Sequence, residues 1–235
     1  MSNTANLELP LLQPSQAQKH VTVNEALGVL DSVAQLTLVS MTTATPPGGA
    51  LDGEGYLVPL GATGDWVGAE GLIAIFSNNG WRIVKPQPGW RTYVRDQGAV
   101  YIFDGIDWHC DAVAATANGA ATQMSITEID HTITAGANNS TAALIPPYSV
   151  VFGVTARVIS DITGANGWSL GVAGHSDRYG NGLQTIAGSW GYGLTGQALS
   201  YFAQTPLVIT AEGGSFTGGI VRLAIHGLTL SLPRQ

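Results

Sequence analysis

Apolar positions recur at helical spacing in one stretch of the chain and alternate in short bursts almost everywhere else. The helical stretch lies within residues 13–38, QPSQAQKHVTVNEALGVLDSVAQLTL. Val23, Leu27, Leu30 and Ala34 fall on one face, and Ala26 and Val33 widen the stripe. Thr22 and Glu25 form the T-x-x-E pattern of a capping box, which predicts a helix over about 22–37. Gly28 in its middle costs about 1 kcal/mol against alanine, so this helix needs a surface to lie against. Its first turns carry a polar cluster that matches no enzyme motif. Gln16, Lys19, His20, Asn24 and Glu25, with the apolar Leu27 and Leu30, are therefore candidate assembly residues.

Residues 1–12 read as an extended leader whose Leu7, Leu9, Leu11 and Leu12 can pack in an oligomer. Pro46-Pro47-Gly48-Gly49 ends any regular structure before residue 56. Residues 56–110 then read as short β-hairpins. LIAIF before SNNGW and VYIF before DGIDW share one arrangement: apolar strand, Phe, tight turn, Trp. Asn79-Gly80 is a strong hairpin signal, because a type I′ turn needs positive φ at both central positions. Trp66, after Gly64-Asp65, reads as a third and weaker copy.

Residues 111–122, DAVAATANGAAT, lack any period and read as a linker. Beyond them, apolar runs separated by Gly, Asn and Pro turns continue to the end of the sequence. The expected strands are 125–134, 142–145, 149–159, 168–173, 183–187, 207–211 and 220–232. Alternation is clearest in Val150-Phe152-Val154 and Val221-Leu223-Ile225. The predicted fold is mostly β: an N-terminal helix and hairpin module over 1–110, then a C-terminal antiparallel, jelly-roll-like β-sandwich over 123–235.

Composition narrows the possible partners. Of 235 residues 31 are glycine, and charged residues make up 11% against a usual ~25%. Apolar residues reach 45%, so the chain is not disordered by composition, and low charge suits a surface covered in a homo-oligomer. A net charge of −7 with nine Lys and Arg disfavours nucleic acid and anionic membranes. No apolar run approaches a membrane span, and residues 1–12 lack the basic and apolar regions of a signal peptide. One cysteine, Cys110, gives no internal disulfide, as suits a chain made in a reducing cytoplasm.

Catalytic and metal signatures are weak. Asp107, His109, Cys110 and Asp111 lie close together, but no C-x-x-C or H-x₃-H pair accompanies them, so a hairpin end is expected rather than a metal site. G-S-W-G at 188–191 lacks the strand–turn–helix setting of a nucleophile elbow, and GSWGYG lacks the helix of a nucleotide fingerprint. A glycosidase needs two carboxylates at a set separation, and Asp161 with Asp177 is the pair to consider. The expectation is a protein without catalytic residues, metal or cofactor. Glycan binding is the sharper reading. Sugar sites pair an aromatic face with polar groups on a rigid scaffold, and Trp168, Asp177, Arg178, Tyr179, Asn181, Trp190 and Tyr192 cluster within 161–192. The bland alternative makes the tryptophans core residues and Asp177-Arg178 a solvated turn.

The stretch LPLLQPSQAQKHVTVNEALGVLDSVAQL, with the GDW, NGW and DG-x-x-W motifs ending at 108, resembles the bacterial domain family DUF2793. That family occurs in alphaproteobacterial prophages and in gene transfer agents. IPPYSVVFGVTARVISDITGANGWSLGV and TPLVITAEGGSFTGGIVRLAIHGLTL are similar to the region following this domain in gene-transfer-agent head-spike proteins. The resemblance implies a virion-associated spike or fibre of a particle that engages capsular polysaccharide. Attached to a capsid or second spike protein, it is expected as a homo-oligomer, a trimer to suit a fibre or a pentamer to suit a capsid vertex. Such a protein reaches the particle surface after synthesis in the cytoplasm. The family supplies no catalytic residues. A purely structural decoration subunit and a polysaccharide depolymerase are the alternatives.

Overall fold

A computed structural model of the chain describes residues 3–13 and 19–235. They form two compact units: one runs to Ala121 and includes Pro233–Gln235, and the other is Thr122–Leu232. The fold is mostly β, with one α-helix.

In the first unit, α1 spans Lys19–Val33. Thr22 and Glu25 therefore sit inside the helix instead of capping it, because Lys19, His20 and Val21 are already helical. The predicted extension to residue 37 fails as well. Thr37–Ser40 is strand β1, in which Leu38 and Ser40 face inward while Thr37 is exposed. Period two wins there because β1 lies at the centre of a sheet. The leader is not extended: Thr4 and Leu9 bond across a turn, and the buried Asp31 clasps it.

β1 pairs in parallel with β2 (Gly55–Leu57) and with β5 (Arg91–Val94). The hairpins β3 (Ile73–Ser77) with β4 (Gly80–Val84), and β5 with β6 (Ala99–Phe103) and β7 (Trp108–Cys110), complete the sheet. Its order is β4-β3-β2-β1-β5-β6-β7, so the expected separate hairpins are one seven-stranded mixed sheet. Asn78 and Asn79, both at positive φ, are the central turn residues of β3–β4, and Gly80 already pairs with Ser77. The internal duplication has a geometric counterpart. Phe76 faces Trp81 and Phe103 faces Trp108, each with ring centroids 5.0 Å apart. Trp66 is no third hairpin. It ends a 3₁₀ turn at Gly64–Trp66 and is buried against Tyr56 and Trp81.

The expected linker is structured. β8 (Ala112–Ala115) turns at Thr116–Ala120 into β9 (Ala121–Thr132), and Ala112 and Ala121 pack against Ile102. Small residues read as a linker here because alanine is what that contact accommodates.

The second unit is an antiparallel β-sandwich. Its remaining strands are β10 (Asn138–Ser140), β11 (Ser149–Thr163), β12 (Gly167–Val172), β13 (His175–Leu183), β14 (Trp190–Tyr201), β15 (Val208–Glu212) and β16 (Gly218–Leu230). One sheet runs β10-β15-β12-β13, and the other carries β14-β11-β16-β9 in that order. Between them lie Val151, Val154, Val158, Leu223 and Ile225 from one sheet and Trp168, Leu170 and Ile209 from the other. A bulge between Val151 and Gly153 shifts β11, so Val151 and Val154 are buried and the simple Val150-Phe152-Val154 alternation does not hold. β14 is a twelve-residue strand in the gap between the expected strands 183–187 and 207–211, and residues 177–181, outside every expected strand, lie within β13.

Candidate functional site

The candidate site is the outer face of β14-β11-β16-β9. Residues 190–194 read W-G-Y-G-L, and strand alternation sends Trp190, Tyr192 and Leu194 outward. The inward positions are glycine because a side chain would meet what lies directly beneath: backbone at Gly193 and the Leu183 side chain at Gly191. A Cβ on Gly193 would stand 2.3 Å from the Tyr179 carbonyl, and one on Gly191 would stand 3.0 Å from Leu183. Glycine inside therefore permits the aromatics outside. Trp190 is 62% and Tyr192 72% exposed, with ring centroids 5.1 Å apart and the planes edge to face.

Strand register orders the rest of the face in rows. Trp190, Arg157, Arg222 and Asp130 are successive cross-strand partners. Tyr192, Thr155, Ala224 and Glu128 form the next row, then Leu194, Gly153, His226 and Ile126. Trp190, Arg157 and Arg222 of the first row, the whole second row and His226 bound a cleft of about 470 Å³, with Asp130 just beyond its lining. Arg222 grips Asp130 with two hydrogen bonds, at 2.6 and 2.7 Å, and lies 3.9 Å from Glu128. The Arg222 guanidinium holds the Asp130 carboxyl below its usual range. Arg157 donates to the Gly188 carbonyl at 3.2 Å and makes no ion pair among the described residues. Thr155 and His226 share a hydrogen bond of 3.2 Å. Aromatic faces beside donors and acceptors on a rigid sheet can hold a sugar ring.

The expected sugar contacts divide. Trp190 and Tyr192 meet in the cleft. Trp168 does not: it is 1% exposed, and its indole donates to the Gln184 carbonyl at 2.9 Å. Tyr179, 2% exposed, shares a 2.6 Å hydrogen bond with the Tyr201 hydroxyl. Burial, then that bond, pushes the Tyr179 phenol up. Both are core residues and, contrary to expectation, lie out of reach of a sugar. Arg178 donates to Tyr201, while Asp177 and Asn181 are exposed on β13, outside the cleft lining. Glu128, Thr155, Arg157, Arg222 and His226 were missed, because register joins residues that are far apart in sequence. The alternation in β16 held the one available signal: polar Arg222 falls between apolar Val221 and Leu223, and polar His226 follows apolar Ile225.

The assembly candidates lie in the other unit, apart from Gln16, which is outside the described residues. Lys19 opens α1 and His20 follows it. Asn24 exchanges hydrogen bonds with the backbone of Leu12, at 2.9 and 3.0 Å, and the Glu25 carbonyl accepts from Arg82. Leu27 is half-buried and Leu30 is 51% exposed. Val21 and Val23 are exposed too, so polar contacts hold the helix while much of its apolar stripe stays uncovered.

Among the described residues no group of three or more His, Cys, Asp or Glu could hold a metal ion. At the Asp107–Asp111 hairpin, His109 contacts Asp104 at 2.6 Å. Asp104, whose side chain is wholly buried, also accepts from the backbone of Ile106 and Asp107 and from Arg234. Burial alone raises its carboxyl. The Asp107 backbone, His109, the Ile106 backbone and Arg234 outweigh that and hold it well below the usual carboxylate range. Every neighbour of this acid is a structural donor. No described helix is long and apolar enough to cross a membrane.

No curated protein matches the chain. Among solved structures, a chain of the cyanophage Pam1 capsid asymmetric unit is similar at 22% identity and a TM-score of 0.37, covering 50% of this chain and 91% of that one. Residues 23–109, which hold most of α1 and the seven-stranded sheet, match the family described as "Protein of unknown function (DUF2793)", and a DUF2793 domain is thus present in this chain.

Proposed function

We propose that this chain is an oligomeric spike or fibre protein of a phage-like particle, a gene transfer agent or prophage virion, that adheres to host cell-surface polysaccharide without cleaving it. The observation that carries the adhesive half is the exposed Trp190–Tyr192 pair over a polar cleft on an ordered sheet. Two large aromatics left in solvent, with glycines beneath them for close packing, suit a surface meant to be covered. The DUF2793 domain at 23–109 supports the particle half, through the resemblance of these residues to prophage and gene-transfer-agent proteins. The uncovered stripe of α1 is the surface expected to meet symmetry mates, a capsid or a second spike subunit. Several weak sites on one oligomer then act together on a repeating polymer.

A purely structural subunit is the second reading, favoured by the apolar far end of the same face. Met124, Ile126, Leu194 and Leu230 are exposed there. Labelled full-length protein mixed with encapsulated cells and acapsular mutants separates the two. Capsule-dependent binding that is lost in a Trp190→Ala, Tyr192→Ala double variant of unchanged mass and Tm supports adhesion. Equal absence of binding to both cell types, from a well-formed oligomer, overturns adhesion in favour of the structural reading.

A further inference from the structure

We infer that the polymer taken by the Trp190–Tyr192 cleft is an acidic polysaccharide, a uronate-bearing chain whose carboxylate seats on Arg157. This rests on the sugar-binding reading above and adds the chemical class of the ligand.

The chain has nine Lys and Arg against sixteen Asp and Glu, and residues 122–232 hold three cations: Arg157, Arg178 and Arg222. Two of these, Arg157 and Arg222, are direct cross-strand partners on the open face. Like charges directly opposite one another on a sheet are destabilising, so this pairing needs an offset. Asp130 supplies one for Arg222 through its two-pronged contact. Arg157 receives only a carbonyl oxygen, that of Gly188. A guanidinium carries five N–H donors in a fixed fork that matches a carboxylate, and it stays charged at any physiological pH.

Position along the row gives the orientation. Arg157 is the cross-strand partner of Trp190, whereas Asp130 lies three strands away from Trp190, about 14 Å at the usual strand spacing. The aromatic end of the cleft is therefore cationic, and its acid–base pair sits at the far end. A neutral sugar stacked on Trp190 would find a donor-only group beside it. A uronate stacked there places its carboxylate where an ion-paired, two-pronged hydrogen bond is open. Acceptors on Asp130 and Glu128 remain for hydroxyls farther along the polymer.

The test is fluorescence anisotropy of labelled polygalacturonate, alginate and hyaluronan, each beside its carboxyl-reduced form, with dextran sulfate as a charge control. Full-length protein is used throughout. At least one uronate polymer is expected to bind about tenfold tighter than its reduced form, a difference that high salt shrinks. Arg157→Gln should erase most of that difference with Tm unchanged, and Arg157→Lys should restore only part, because lysine keeps the charge but loses the fork. Trp190→Ala should weaken native and reduced polymers alike. Equal binding of native and reduced polymers, still lost in Trp190→Ala, overturns the acidic ligand and leaves the sugar site standing. Binding to dextran sulfate as tight as to the uronates overturns the carboxylate assignment, as does failure to bind any uronate polymer. Binding indifferent to Trp190→Ala overturns the sugar-site reading itself.

Discussion

Gly193 of β14 lies so close to Tyr179 of β13 that a methyl group on it would stand 2.3 Å from the Tyr179 carbonyl oxygen and 2.6 Å from that of Val154. Both obstacles are backbone and cannot rotate away. Gly193→Ala is expected to destabilise the sandwich by about 3 kcal/mol and to disturb the strand that presents Trp190 and Tyr192. Gly196, on the same strand with nothing within 4 Å of its would-be Cβ, is the control. Gly196→Ala should change stability by no more than about 0.5 kcal/mol. Urea unfolding of the two variants measures the contrast.

Trp168 and Trp190 make a second contrasting pair. Trp168→Ala empties the sandwich core and should cost about 4 kcal/mol. Trp190→Ala, at an exposed position, should leave Tm within about 2 °C of the parent and remove polysaccharide binding. Calorimetry with cell binding reads both, and a Trp190→Ala protein that melts early would show the ring to be structural.

Acid should weaken the first unit. Asp31, like Asp104, is depressed: burial raises it, but the Thr4 hydroxyl and the Leu7 and Asn6 backbone bring it below its ordinary value. Both carboxylates bind fewer protons folded than unfolded. Their stabilisation is complete above the unfolded pKa of about 4 and is lost as pH falls toward the folded values. Thermal melts from about pH 6 to pH 2 should show this decline. Asp104→Asn should start about 3 kcal/mol less stable at neutral pH, with His109 and Arg234 unpaired, and should decline less steeply in acid.

Leu30→Glu and Val23→Glu place charge on the uncovered stripe of α1. On the proposed oligomeric assembly, each should leave the circular dichroism spectrum intact and lower the mass seen by light scattering from oligomer to monomer. A variant that keeps the parental mass would take α1 out of the interface.

Much of the β architecture was legible because its cues are local. The Phe–turn–Trp repeat marked two hairpins, and Gly and Pro punctuation marked most strands of the sandwich. β1 was hidden because Leu36-Thr37-Leu38 continues a helical stripe as readily as it starts a strand, and only the partners Gly55 and Tyr93 decide between them. β14 was hidden because its inward positions are glycine, which weakens any strand propensity. The site was half legible. Aromatic and polar residues clustered within 161–192 pointed to Trp190 and Tyr192, but Trp168 and Tyr179 carry the same side-chain chemistry and point inward. The charged half needed the register of β11, β16 and β9, which joins residues 128, 157 and 222.

The W-G-Y-G-L alternation separates two kinds of selection on one strand. Position 193 answers to the fold, where backbone leaves no room for a methyl group, and 191 is bounded by the Leu183 side chain, while 190 and 192 face outward and answer to neither. Under the proposed adhesive role, a lineage of such proteins could replace its outward residues one by one, following a host that changes its coat, without reopening the problem of how the sandwich packs.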